Sequence, residues 1–286
     1  MKNNKIDELK NEYENLHADK AFRERIEKTM KKEINRKKNI KRIVSAAACM
    51  AVFTVGLNVS PSFAYAMSSI PVVNSVVKVL TLNKYEVKTD NYQAEIVTPK
   101  VEGLLDKDLE NKLNEEFKNN ADAVKAAFEQ SVNELKTEYG EDGFHEGVEF
   151  NYEVKTDNDN ILAIDVYTYS VAGSSSTVHD FYNINKKTGE FITFKSLFKE
   201  GTDYITPISD YIKKECKRMN EEEGGMFFLA EDGEIDGFDK ISENQKFYIN
   251  NDGKIVICFD KYEIAAGAQG SPEFVLPDEV VNDILK

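Results

Sequence analysis

"VEFNYEV", Val148–Val154, alternates apolar and polar residues without a break. A period of two belongs to a strand with one buried face. "DNDN" (157–160) reads as a turn, and "ILAIDVYTY" (161–169) as the next strand. Upstream, Leu109, Leu113, Phe117, Val124, Phe128, Val132, Leu135 and Tyr139 recur at three, four or seven residues. That spacing predicts one long amphipathic helix, ended by Gly140. Before it, Tyr85–Thr98 reads as strands around a turn at "TDN" (89–91). Downstream come "FYNI", the turn "NKKTGE" and "FITF", then a helix over about Asp203–Met219 with Pro207 tolerated in its first turn. The glycine-containing "EEEGG" (221–225) ends that helix. The rest reads as a strand, an "NNDG" turn, "KIVICF", "EFVL" and a terminal helix. Helices and antiparallel strands in this order predict an α+β body, an antiparallel sheet with packed helices. No internal repeat is visible.

The chain has 286 residues, 41% of them hydrophobic and 31% charged, enough for one sizeable core or two small ones. Its net charge of −14 is unevenly spread. Residues 1–42 carry 14 basic and 8 acidic side chains, a net of +6, and no charge occurs from Ile43 to Val77. The remainder holds 23 basic against 43 acidic residues, a net of −20. Nucleic acid is excluded as a partner of so acidic a body, because its phosphates would be repelled.

"IVSAAACMAVFTVGLNV", Ile43–Val59, is the candidate transmembrane helix. Its 17 residues span roughly 25 Å as a helix, short against a hydrocarbon core of about 30 Å. Seven basic residues precede it in "KKEINRKKNIKR" (31–42), and none follows before Lys78. The positive-inside rule then puts residues 1–42 in the cytoplasm and the acidic body outside, on a single-pass membrane protein. Within the cytoplasmic segment, Ile6, Leu9, Tyr13 and Leu16 repeat at helical spacing, as do Phe22, Ile26 and Met30. Two such short helices are marginal alone in water, so they read as anchors that fold into a partner's groove; a solvated basic arm is the alternative. After the apolar run, "SPSFAYA" (60–66) sets small residues Ala64 and Ala66 around a bulky one, as a signal-peptidase site does, with Met67 beyond the cut. The predicted segments are therefore 1–42, 43–59, a juxtamembrane stretch 60–84, and two α+β subdomains, 85–195 and 196–286.

Little in the outer body suggests catalysis. "SSSTVHD" (174–180) holds Ser, His and Asp close in sequence, but no nucleophile-elbow or oxyanion motif accompanies them. No enzyme activity, cofactor or metal is expected, and zinc lacks ligands at useful spacing. "DGEIDGFDKISE" (232–243) approximates a calcium loop, with Glu at its third position and no convincing exiting helix. An acidic surface loop is the simpler reading. Cys216 continues the apolar face of Ile205, Ile208 and Ile212, and with Cys258 reads as a buried free thiol, although a Cys216–Cys258 pair stays open.

A cytoplasmic helical arm, one crossing, a signal-peptidase box and an acidic α+β body together resemble the RsiV-type anti-sigma factors. "SLFKEG" (196–201) and "ENQKFYINNDGKIVICFDKYEIAAGAQGSPEFVLP" (243–277) resemble the domain that this family shares with modules beside peptidoglycan deacetylases. "YEVKTDNYQAEIVTPKVEG" (85–103) resembles its usual companion. The resemblance covers nearly the whole chain. It implies that residues 1–42 hold an extracytoplasmic-function sigma factor, through Leu9, Tyr13, Leu16, Phe22 and Ile26. It also implies that the body binds lysozyme, and that signal peptidase then cuts after Ala66. An intramembrane site-2 protease follows and releases the sigma factor. The implied lysozyme surface lies on the loop after "VYTY" and on "DKYEI", with Ser170, Asp260 and Tyr262 as contacts and Tyr169 and Glu263 beside them. Asp260 stands where the family often has proline, and Tyr262 could instead be core. Attraction of a basic lysozyme by a body of net −20 agrees with this. The other readings are a secreted protein with an overlong signal peptide, and a secreted or anchored wall-glycan-binding accessory module.

Overall fold

The computed structural model describes residues 77–233 and 237–286. The arm (1–42), the apolar run (43–59), Ala64, Ala66 and Met67, and most of the juxtamembrane stretch lie outside the described residues. So do Leu9, Tyr13, Leu16, Phe22 and Ile26. Among the described residues no helix is long and apolar enough to cross a membrane.

Six strands form the first sheet, in sequence order: β1 (Lys78–Lys88), β2 (Tyr92–Glu102), β3 (Glu146–Asp157), β4 (Ile161–Ala172), β5 (Ser174–Asn185) and β6 (Glu190–Phe191). All neighbours are antiparallel except β2 and β3, which run parallel from Tyr92↔Glu146 to Ile96↔Phe150. The expectation of a purely antiparallel sheet is therefore corrected. The cause is α1 (Lys107–Tyr139), whose 33 residues carry the chain back to the start of the sheet. "FITF" also departs from its strand reading, because pairing ends at Phe191 and residues 195–197 form a 3₁₀ turn.

Helix α1 begins at Asp106, whose carboxylate accepts from the N–H groups of Asp108 and Leu109 at 2.9 and 3.0 Å. It ends at Gly140, whose N–H closes onto Lys136 O at 2.9 Å. Leu113, Phe117 and Val124 are fully buried against the sheet, each contributing about 1.5–3 kcal/mol by leaving water. The same interface holds polar groups the hydrophobic spacing did not disclose. Glu116 is 7% exposed; one of its carboxylate oxygens accepts from Tyr182 at 2.9 Å, and the other meets no partner among the described residues. Burial raises the Glu116 pKa to about 7 and that of Glu146 also to about 7. The buried Asp180 carboxyl is pushed up to about 8 for the same reason.

The second core lies on the opposite face of the sheet. It is built from α2 (Ile205–Glu222), a three-stranded antiparallel sheet of β7 (Phe247–Ile249), β8 (Ile255–Cys258) and β9 (Glu273–Val275), and the short α3 (Asp278–Val281). All four residues of β8 are buried because both its faces are covered. Ile255 and Ile257 join Ile208, Ile212 and Cys216 of α2, whereas Val256 and Cys258 pack on Phe181 of β5. Cys216 and Cys258 therefore sit on opposite sides of one strand, and both are free thiols. Side chains of the first sheet hold the second in register. Asn183 donates to Phe247 O at 2.9 Å and accepts from Ile249 N–H at 3.1 Å, while Thr156 donates to Ile249 O at 2.7 Å. Of the calcium-like loop, Asp232 lies in a 3₁₀ turn and Asp239 pairs with Lys213 at 3.5 Å. Among the described residues no group of three His, Cys, Asp or Glu could hold a metal ion.

Candidate functional site

The β4–β5 hairpin turns through the single residue Gly173, at φ 82°, so that Ala172 pairs directly with Ser174. After β8, the chain makes a tight turn over residues 260–263. The Glu263 N–H donates to Asp260 O at 3.0 Å, and the Asp260 N–H donates to the Glu263 carboxylate at 2.7 Å. Burial of that carboxyl raises its pKa, although the residue as a whole is exposed. This turn lies along β5. Lys261 donates through its N–H to Thr177 O at 3.2 Å and through Nζ to Ser175 Oγ at 2.6 Å. Tyr262 Oη lies 2.8 Å from Ser174 Oγ. The two loops implicated in the sequence are thus one surface.

Tyr262 is 48% exposed, so it is not core. Its φ of 74° makes it the one non-glycine residue in the left-handed region among those described, a conformation that costs a tyrosine on the order of 1 kcal/mol. Its ring covers Gly267, where any Cβ would run into the ring. Lys261 Nζ stands 5.3 Å from the ring centroid. Asp260 has a different part. Its carboxylate accepts from the His179 N–H at 2.9 Å and from Lys246 Nζ at 2.6 Å, so its charge is spent inside the protein. Asp260 is a strut of the turn. Ser170 is placed differently from Tyr262. It is 5% exposed, on the face of β4 turned to α1. Tyr169, half-buried and registered with Thr177, lies on the face that carries Tyr167 and His179.

Behind the turn stands an arrangement with little local signature. His179 Nδ1 lies 2.9 and 3.1 Å from the Asp165 carboxylate oxygens, and Nε2 lies 3.0 Å from Ser271 Oγ. Burial opposes a charge on His179, but the hydrogen bond and charge of Asp165, with the charge of Asp260, outweigh it and raise the pKa. An Asp–His–Ser relay alone is not a hydrolytic site, because the tetrahedral oxyanion needs converging N–H donors. Near Ser271, the N–H groups of Gln269 and Gly270 are spent on Ala266 O and Gly267 O, and Pro272 has none. "SSSTVHD" supplied only the histidine of this relay. Asp165 and Ser271 lie 14 and 92 residues away, beyond any local pattern.

Comparison with known proteins bears on both halves. Residues 85–175 match the family model described as deacetylase PdaC, and residues 195–279 match a protein family of unknown function, DUF3298. A crystal structure of a DUF3298 member from Bacteroides fragilis shares the fold, with a TM-score of 0.54 at 17% identity, over 74% of this chain and 94% of that one. The peptidoglycan-N-acetylmuramic acid deacetylase PdaC of Bacillus subtilis is 25% identical over 125 residues, 44% of this chain and 26% of that protein. Anti-sigma-V factor RsiV of Bacillus subtilis is 33% identical over 282 residues, 98% of this chain and 96% of that one. An identity sustained along almost all of both sequences makes this protein a member of the RsiV family of anti-sigma factors.

Proposed function

We propose that this anti-sigma factor is anchored by residues 43–59 and sequesters an extracytoplasmic-function sigma factor with residues 1–42. Lysozyme binding to the outer body then exposes the site after Ala66 to signal peptidase, and a site-2 protease frees the sigma factor. The single observation that carries the reading is the full-length identity to RsiV, which includes the basic arm and the apolar run. The exposed, left-handed Tyr262 on its braced turn supports a docking role for the outer face, since strained backbone gathers at ligand clamps. The test is a sigma-dependent reporter in cells carrying the full-length chain. Lysozyme should switch it on, together with the appearance of a shortened chain; a reporter that stays off with the chain intact would refute the trigger.

The match of residues 85–175 to the PdaC model favours a second reading, in which this half binds wall glycan. Co-sedimentation of the full-length protein with insoluble peptidoglycan, in the absence of lysozyme, decides between them.

A further inference from the structure

We infer that His179 is the positioning residue of the docking turn, tying the exposed Tyr262 to the buried Asp165 of β4. The inference rests on the proposed role of that turn in binding a basic protein such as lysozyme.

Three bonds leave His179 for three different parts of the fold. Nδ1 goes to Asp165, whose side chain is 3% exposed; Nε2 goes to Ser271, before β9; and the main-chain N–H goes to Asp260, at the head of the turn. The ring has little room to move. Phe181 stacks on it at 5.9 Å and 11°, and Tyr167 leans on it at 6.0 Å. Fixing the ring fixes the β5 backbone at 179, and through the Asp260 carboxylate it fixes the start of the turn. Tyr262 follows two residues later in a conformation it would leave if the turn were free, because the left-handed region is unfavourable for a bulky side chain. Strain of this kind persists only where the surroundings over-determine it.

The bracing also tolerates a change of protonation. In the neutral ring with its proton on Nδ1, Asp165 accepts that proton and Nε2 accepts from the Ser271 hydroxyl. In the imidazolium both nitrogens donate, and the Ser271 hydroxyl rotates to accept. All three anchors persist in either state. Lys246 is part of the same brace, holding the second oxygen of Asp260.

The experiment compares the full-length wild type with His179→Ala, His179→Asn, Tyr262→Ala and the double variant His179→Ala/Tyr262→Ala. Lysozyme dissociation is followed by surface plasmon resonance, and amide exchange at Lys261 and Glu263 by mass spectrometry. His179→Ala should release lysozyme on the order of 10-fold faster. His179→Asn keeps a donor toward Asp165 and should restore most of the lifetime. In the Tyr262→Ala background, removing His179 should add less than about 2-fold, because its effect passes through Tyr262. Exchange at Lys261 and Glu263 should rise in His179→Ala, whatever the ligand. Wild-type protein that binds no lysozyme would overturn the choice of ligand, while faster exchange in His179→Ala would still establish the positioning role. Unchanged exchange, or rate effects of His179→Ala and Tyr262→Ala that multiply, would overturn the inference. If His179→Ala melts much earlier than wild type, Asp165→Asn replaces it and must meet the same criteria.

Discussion

Tyr262 Oη and Ser174 Oγ lie 2.8 Å apart although 88 residues separate them in the chain, and this bond closes the β4–β5 hairpin onto the turn after β8. The hydroxyl end of the tyrosine is held while almost half of its surface remains open to solvent. A rigid aromatic of this kind loses little entropy when a partner covers it.

Tyr262→Ala should therefore weaken lysozyme binding by roughly 1–3 kcal/mol, mostly through faster release. Tyr262→Gly separates binding from folding. Glycine occupies φ 74° without strain, so the melting temperature should hold or rise while binding is lost. Calorimetric melting and surface plasmon resonance on the same protein check both halves; a glycine variant that binds like wild type moves the docking surface elsewhere.

Gly267 offers a test that leaves Tyr262 in place. A Cβ at 267 would overlap the tyrosine ring, and an exposed ring can swing away at small cost. Gly267→Ala should fold normally yet lose most of the affinity that Tyr262→Ala loses. Wild-type affinity with a wild-type melting temperature would mean that the pose of the ring does not matter.

The buried carboxyls of the first core give the protein a pH signature. Glu116 and Glu146 are raised to about 7 and Asp180 to about 8, all by burial. From about pH 4.5 upward the unfolded chain has released these protons while the folded protein still holds them. Their contribution is thus complete below pH 4 and is lost as the pH rises through 7 to 8. The raised His179 acts in the same direction above its ordinary value of 6.5. Thermal unfolding should show a melting temperature that falls between pH 5 and 8.5, less steeply in Glu116→Gln. A wild-type profile that is flat or rises over that range contradicts these assignments.

The parts of the fold legible in the sequence were those with local periodicity. The stripe from Leu109 to Leu135 marked α1, and the alternation of Val148–Val154 marked β3, because each buries one face. The parallel pairing of β2 and β3 was not legible, since alternation does not reveal which strand lies alongside. At the candidate site, the sequence pointed to the loop at Asp260–Glu263 but not to the bonds its residues make. A carboxylate reads as surface charge until its partners appear, and those of Asp260 are Lys246, 14 residues back, and the main chain of His179, 81 residues back. Burial of Ser170 follows from strand parity, which "VYTYS" contains only once the face of β4 turned toward α1 is known.

Leu9 and Leu16 lie seven residues apart and Phe22 and Ile26 four apart, spacings that would put each pair on one face of a helix, in the segment proposed to hold the sigma factor. Replacing either pair with Asp puts two charges where apolar anchors are expected to enter a groove, where unpaired charge is costly. Each double variant should switch on a sigma-dependent reporter without any stimulus, at normal protein levels. A silent reporter in both would remove sigma binding from residues 1–42.

The proposed cleavage would depend on side-chain size at two positions. Signal peptidase accepts small residues where Ala64 and Ala66 stand, and a Trp in place of Ala66 would not enter so small a pocket. The first described residue, Val77, is already buried at 6% exposure in the first core, and β1 begins at Lys78. Ala66 precedes Val77 by eleven residues in the chain, and its substitution is expected to leave lysozyme binding intact. Ala66→Trp should bind lysozyme with wild-type kinetics, remain full-length on immunoblots after lysozyme is added, and keep the reporter off. Binding lost together with cleavage would mean that residue 66 contributes to the docking surface. A fragment of wild-type size from Ala66→Trp would place the cut at another bond.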